Sequence, residues 1–286
     1  MVMTTGTIDS TRPLLVFGGP YSNLQAMRAM RREAEARSIT PSHIICTGDV
    51  VAYAADPEET AREIRDWGIH VIAGNCEEQL ADNAGDCGCG FEEGSVCDTL
   101  SRGWYPYALQ NTSAEIKGWM AGLPKFLAFQ YCGLRFRVLH GGGRETNRFV
   151  FASDRAALAD EAGQADADVV IAGHAGLPFV TEFNETAWIN PGVIGMPAND
   201  GTPDGWFGLI QAEHDGISVS LHRLAYDSAA AAGAMRRSGH ANGYARTLIT
   251  GIWPSHDILP PAELEQTGRP LGETTSRIRG RLGITA

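Results

Sequence analysis

Lysine is nearly missing from this sequence of 286 residues: Lys117 and Lys125 are the only two, so almost all of its 23 basic residues are arginines. They face 34 acidic residues, and the net charge is −11. Proteins that hold a nucleic-acid backbone neutralise its phosphates with a basic face, so this balance excludes such binding. It leaves room for a small phosphorylated substrate, because a bound cation inverts the field locally. No apolar run approaches the roughly 18 residues of a membrane span, and Met1 to Pro13 lack the apolar core of a signal peptide. The expectation is a cytoplasmic protein without membrane association, whose thiols are reduced. Its six cysteines and eight histidines then read as ligands, catalytic groups or packing before disulfides.

Strand–helix alternation fills the first half. Leu14-Leu15-Val16-Phe17 is a short apolar run that stops at Gly18-Gly19-Pro20. Ser22 with Gln25 has capping-box spacing, and Leu24, Met27, Met30 and Ala34 give the following helix one apolar face. His43 to Thr47 reads as the next strand and ends at Gly48-Asp49. Asp56-Pro57-Glu58-Glu59 opens a second helix, with an Asp cap and Pro at its first position. His70 to Ala73 is a third strand, ending at Gly74-Asn75. Three such units predict a mostly parallel sheet covered by helices.

Residues 77–125 break the rhythm and read as a helical insertion carrying Asp86-Cys87-Gly88-Cys89-Gly90, Trp104, Tyr105 and Trp119. Strands resume at 126–131 and 134–139, the second running into His140-Gly141-Gly142-Gly143. A helix at about 154–163 leads to Val169-Val170-Ile171, which ends at Gly173-His174. Short strands at 179–182, 188–189, 206–211 and 217–224 suggest a second sheet packed on the first. Residues 1–13 are expected to be disordered. Residues 226–286 are expected to form an alanine-rich helical extension and a loosely held tail with Arg277, Arg279 and Arg281.

Asp49, Asn75, His140 and His174 each follow a β-like run and each neighbours a glycine. In open α/β sheets ligands lie outside the carboxyl ends of the strands, so four polar residues from four strand ends converge on one crevice. Taken singly, Gly-Asp and Gly-Asn are ordinary turn dipeptides, and a lone strand-end histidine is more often structural. Four in register with the strand pattern favour a site. One carboxylate, one amide oxygen and two imidazoles form a mixed O/N donor set suited to Zn, Fe or Mn.

These motifs resemble those of the calcineurin-like metallophosphoesterase superfamily, in its small bacterial phosphodiesterase-like branch. The family pattern is D-x-H, then G-D, G-N-H-D/E, a lone H, and G-H-x-H, each after a strand. Gly48-Asp49 is similar to the second motif and Gly74-Asn75-Cys76-Glu77 to the third, with Cys76 where many members have an acid–base histidine. His140-Gly141-Gly142 is similar to the fourth and Gly173-His174 to the fifth, and Asn190 to Gly195 resembles a family turn. The resemblance implies an α/β fold over 14–225: two stacked mixed β-sheets flanked by helices, a four-layer sandwich, with the helical insertion at about 77–125 and the C-terminal helical extension after it. It also implies phosphoester hydrolysis at a two-metal centre.

The departures fall on one of those two metals. Gly19 stands for the aspartate of the first motif, Tyr21 for its histidine, and Gly176 for the second histidine of the fifth. The resemblance gives the other metal Asp49, Asn75, His140 and His174, all present. A one-metal centre follows, or a second site rebuilt from other residues. The loop Gly18 to Asn23 leads to a helix N-terminus and is one candidate for binding an anion in compensation.

The implied function is that of a metal-dependent phosphohydrolase, a phosphomonoesterase or phosphodiesterase of a small-molecule or nucleotide phosphoester. One Mn, Fe or Zn per chain is held by Asp49, Asn75, His140 and His174. Asp49, Asn75, Cys76 and His140 are the catalytic candidates, with Cys76 either a proton donor, a thiol supporting a ligand, or a packed residue. Arg144 is the candidate phosphate clamp, against the plainer reading of a solvated loop arginine. Tyr21 and Asn23 are placed to touch a substrate. Cys87, Cys89 and Cys97 read as a weak soft-metal set or, more simply, as a tight turn with reduced thiols. The alternatives are a protein that keeps the fold as a binding or scaffold module, and a metalloenzyme of non-phosphate chemistry. A homo-oligomer is compatible with the sequence.

Overall fold

The computed structural model describes residues 2–183, 185–240 and 243–279, with the backbone alone for 2–5. The chain opens with strands β1 (Val2–Thr7) and β2 (Leu14–Phe17), helix α1 (Leu24–Ala36), strand β3 (Ile44–Cys46), helix α2 (Pro57–Trp67) and strand β4 (His70–Val71). The insertion follows as α3 (Asn75–Ala81), α4 (Val96–Gln110) and α5 (Ala114–Ala121). Then come β5 (Phe126–Tyr131), β6 (Leu134–Leu139), α6 (Arg155–Gln164), β7 (Val169–Ala172), β8 (Pro178–Phe183), β9 (Thr186–Pro191), β10 (Gly205–Glu213) and β11 (Gly216–Leu224). The C-terminal part holds α7 (Ser228–Ser238), α8 (Tyr244–Thr250), the short α9 (Pro261–Leu264) and β12 (Thr274–Arg279).

The strands form two six-stranded sheets, in the orders β1-β5-β6-β7-β9-β8 and β12-β11-β10-β2-β3-β4. Strand alternation turns Leu14 and Val16 of β2 toward the other sheet, where they meet Phe136, Val138 and Ile171 in the core between the sheets. Leu15 and Phe17 of the same strand point the other way, into a cluster with Met27 and Met30 of α1, Ile64 of α2 and Met235 of α7. The outer face of the first sheet is covered by α6, whose Leu158 packs with Val170 and Trp188. The order is therefore helices, sheet, sheet, helix. Both faces of β2 and β7 are covered, which explains their unbroken apolar runs.

Both termini differ from expectation. Part of the stretch read as disordered forms β1, which pairs in parallel with β5. Arg277 and Arg279 lie not in a loose tail but in β12, paired antiparallel with β11; Arg281 is outside the described residues. In β12, Ile278 turns inward to the core while its neighbours face out. The N-cap of α1 is Asn23 rather than Ser22: its Oδ1 accepts from Ala26 N at 3.1 Å, whereas Ser22 Oγ accepts from Ala52 N. Among the described residues no helix is long and apolar enough to cross a membrane.

Candidate metal centre

Strands β2, β3 and β4 run parallel in one sheet, and β6 and β7 run parallel in the other. Their carboxyl ends open on the same edge of the sandwich. Asp49 follows β3 and Asn75 follows β4; His140 follows β6 and His174 follows β7. The four side chains meet across the seam between the sheets. His140 Nε2 lies 3.2 Å from Asp49 Oδ2, 3.2 Å from Asn75 Oδ1 and 3.2 Å from His174 Nδ1. All four residues are buried. Asp49 (φ 53°) and His174 (φ 56°) adopt left-handed backbone conformations that cost a non-glycine residue roughly 1–2 kcal/mol. Such strain concentrates where a side chain must be aimed at a site.

The hydrogen bonds fix which atoms face inward. His140 Nδ1 donates to the Thr47 carbonyl at 2.6 Å, so in the neutral ring Nε2 carries a lone pair. Asn75 Nδ2 donates to the Cys87 carbonyl at 2.9 Å, which turns Oδ1 toward His140. Asp49 Oδ2 and His174 Nδ1 complete a ring of acceptors with at most one proton to share. A cation relieves that arrangement directly, and Asp49, His140 and His174 form a cluster able to hold a metal ion. The fit is good on chemistry as well: bonds of about 2.0–2.2 Å place tetrahedral donors roughly 3.3–3.6 Å apart, close to the separations here.

Charge is arranged to match. Burial alone would raise the Asp49 carboxyl, but His140, and then His174, hold it below the usual carboxylate range. Burial likewise opposes the charge on His140, and Asp49 outweighs it, so His140 is raised. His174 is pushed down to about 3 by burial and by its charged neighbour His140.

Sequence reasoning assigned no role to Glu77, and the structure gives it a central one. Its carboxylate is fully buried and accepts from Asp49 N (2.7 Å), Val50 N (2.8 Å), Val51 N (3.3 Å) and Gly74 N (2.9 Å). It thereby ties the loop after β3 to the loop after β4. Burial and the nearby Asp49 raise its pKa to about 7. The signal in the sequence was its place two residues after Asn75, on the first turn of α3. Gly74 and Gly48 allow the two loops to close up: a Cβ on Gly74 would lie 2.3 Å from Asp49 Oδ1, and one on Gly48 2.5 Å from Gly74 N.

The remaining expected residues part company. Tyr21 lies at the site and lines the same cavity as Asp49 and His174. Asn23 does not face it: its amide caps α1 and donates to the Gly195 carbonyl at 3.0 Å. Anion binding by the loop Gly18 to Asn23 is ruled out by its hydrogen bonds. The N–H groups of Gly18, Gly19, Tyr21, Ser22 and Asn23 all donate to backbone carbonyls, and Pro20 has none. Arg144 is exposed and does not line the cavity. The Cys76 thiol is buried and raised far above its ordinary value by burial and by Asp49, and it does not line the cavity either. Cys76 directs its backbone N–H at Asp49 Oδ1 (3.3 Å), and its Sγ accepts from Asn75 Nδ2 at 3.6 Å, the contact of a thiol that supports a ligand. Cys87 and Cys89, expected as thiols, are disulfide-bonded, because their Gly-flanked turn brings the Cα atoms to 5.3 Å. They make no soft-metal set with Cys97.

Beside the cluster lies a cavity of about 70 Å³. The insertion contributes Cys89, Phe91 and Cys97 to its wall, and the C-terminal extension contributes Tyr244 and Trp253. Phe149 stacks against His174, with ring centroids 4.3 Å apart. Among the described residues no lysine or arginine lines it.

The sequence profile of the calcineurin-like phosphoesterase superfamily domain matches residues 22–214. Among solved structures the chain is similar to a metallophosphoesterase from Sphaerobacter thermophilus, with a TM-score of 0.66 and 19% identity over 84% of this chain and 99% of that one. It is also similar to a hypothetical protein from Pyrococcus horikoshii OT3, with a TM-score of 0.70 and 15% identity over 88% and 99% of the two chains. At these identities the likeness shows the fold. No curated protein matches the chain in sequence.

Proposed function

The chain belongs to the calcineurin-like phosphoesterase superfamily, and from that premise we propose that it is a metal-dependent phosphohydrolase of small-molecule or nucleotide phosphoesters, with phosphodiesters preferred over phosphomonoesters. The observation that carries this reading is the meeting of Asp49 Oδ2, Asn75 Oδ1 and His174 Nδ1 on His140 Nε2. Asp49, Asn75, His140 and His174 would hold a single Mn, Fe or Zn ion, which when bound would supply Lewis acidity toward a phosphoryl oxygen and toward water.

The chain's own residues do the rest. Thr47 holds His140 in the tautomer that presents Nε2, and the Cys87 carbonyl holds the Asn75 amide oxygen inward. Glu77 keeps the two ligand loops at a fixed separation. The aromatic wall of Phe91, Phe149 and Trp253 limits water at the site and strengthens its electrostatics. The preference for diesters follows from charge. Among the described residues no cationic side chain lines the cavity wall, and Asp49 and Glu77 offset the charge of a divalent ion, so a singly charged diester is easier to accommodate than a doubly charged monoester.

The test is a comparison of bis-p-nitrophenyl phosphate with p-nitrophenyl phosphate on Mn-loaded protein. The reading expects the larger kcat/KM on the diester. Failure on a broad panel of phosphoesters despite bound metal would overturn hydrolysis and favour a scaffold or non-phosphate chemistry.

A further inference from the structure

Tyr21 holds an expensive conformation for no structural return that its hydroxyl explains. Its φ of 52° is in the left-handed region, which disfavours bulky side chains, and Ser22 follows at φ 58°. The backbone is locked there on both sides: Tyr21 N donates to the Asp49 carbonyl at 3.2 Å, and Tyr21 O accepts from Ala54 N at 3.1 Å. The first of these ties the tyrosine directly to a residue of the metal cluster.

The ring is seated as firmly as the backbone. It packs edge-on against Tyr53, with centroids 4.9 Å apart, and Tyr53 leans in turn on Tyr244 (4.6 Å) and Trp104 (4.8 Å). On its other side is Gly19. A Cβ there would lie 2.4 Å from Tyr21 Cζ and 2.7 Å from both Cε atoms, so the ring occupies the space that any side chain at position 19 would need. Gly19 and Tyr21 are thus complementary, and the hydroxyl-bearing end of the ring is what Gly19 admits.

Tyr21 lines the cavity together with Asp49 and His174. Among the described residues its hydroxyl has no hydrogen-bond partner, and it is not one of the buried polar atoms sealed from space. A hydroxyl held by a rigid ring, next to a candidate metal ligand and without a partner, is preorganised for a ligand. It also supplies a directed donor in a cavity without lysine or arginine.

We propose that the Tyr21 hydroxyl donates a hydrogen bond to a phosphoryl oxygen of the substrate at the Asp49–His140–His174 cluster, making Tyr21 a catalytic residue and Gly19 its positioning residue. This rests on the phosphohydrolase reading for its rate effect, but phosphodiester binding tests it separately. The decisive variant is Tyr21→Phe, which removes only the hydroxyl and leaves the ring packing.

With dimethyl phosphate, a singly charged diester, as probe on Mn-loaded protein, Tyr21→Phe is expected to bind roughly ten- to a hundredfold more weakly, the worth of one hydrogen bond to a charged group. Its kcat/KM on bis-p-nitrophenyl phosphate falls by a similar factor, while Mn content and thermal midpoint stay at the wild-type values. Gly19→Ala, which displaces the ring, shows the same loss of affinity. Wild-type affinity for dimethyl phosphate in Tyr21→Phe, or a loss that merely follows lost metal, overturns the proposal. Weakened dimethyl phosphate binding in a protein that hydrolyses nothing supports the Tyr21 contact and overturns the hydrolase reading alone. Metal-loaded wild type that binds no dimethyl phosphate overturns both.

Discussion

His140 Nε2 and Asp49 Oδ2 lie 3.2 Å apart although the two residues follow strands of different sheets. The contact spans the seam of the sandwich, and its neighbours Asn75 and His174 each come from one side of it. Anything bound there is held by both sheets at once.

His140→Ala removes the atom on which the other three converge. Metal affinity is expected to fall by more than the roughly 10–100-fold that loss of an outer hydrogen-bond partner costs. Metal content of the purified variant, read against wild type, checks this; equal content would place the metal elsewhere.

Glu77→Ala strands four backbone N–H groups that are now satisfied by one carboxylate. At about 1–3 kcal/mol for each buried donor left unpaired, with some relaxation, the expected loss of stability is about 3–5 kcal/mol. Glu77→Gln, which keeps one acceptor oxygen, loses less. Urea midpoints of the two variants measure the difference.

Gly74→Ala probes closure without changing any donor. Its backbone is ordinary, so the effect is steric: the new Cβ meets Asp49 Oδ1 at 2.3 Å and His140 Cε1 at 2.8 Å. The variant is expected to lose about 1–3 kcal/mol of stability from overpacking. Its Mn affinity drops with it, as titration of the folded variant will record.

Metal affinity depends on pH through one ligand proton, on His140, and through the charge of Glu77, raised to about 7 beside Asp49. Asp49 is lowered and His174 is pushed down to about 3, so near neutrality neither holds a proton that must leave. His140 is raised, and its proton must be displaced before Nε2 can bind a cation. Affinity therefore rises with pH up to the His140 pKa, by about tenfold per unit, and gains further as Glu77 ionises beside the cluster. Mn titrations across the neutral range, with proton release followed in weak buffer, measure the slope; Glu77→Gln is expected to leave the one-proton dependence of His140 alone, and a pH-independent affinity would contradict it.

Arg144→Ala should leave kcat/KM on bis-p-nitrophenyl phosphate within about twofold, as for other surface changes. The side chain is exposed and off the cavity wall.

Much of this arrangement was legible in the chain. The apolar runs that stop at Gly-Asp, Gly-Asn, His-Gly and Gly-His marked the strand ends, because a parallel strand covered on both faces must be apolar throughout and its first polar residue lies at the crevice. Strands β5 and β6, an antiparallel pair that alternates in burial on either side of Cys132-Gly133, were readable to the residue. What escaped were features decided by partners distant in sequence. β1 and β12 are edge strands whose order comes from β5 and β11, not from their own composition. Asn23 looked like a substrate residue until its amide was seen to bond Gly195, 172 positions away. Arg144 follows a site histidine closely in sequence, but the glycine-rich turn after His140 carries it out to solvent. Glu77 was visible as a residue and invisible as a role, since four N–H groups from two loops define that role.

The site is that of a proposed phosphohydrolase that works with one metal. Its most direct test is titration of Mn into metal-free protein while hydrolysis of bis-p-nitrophenyl phosphate is followed. A rate that rises with added Mn and saturates at one ion per chain is the predicted result; saturation at two ions per chain, or no hydrolysis at any loading, contradicts it.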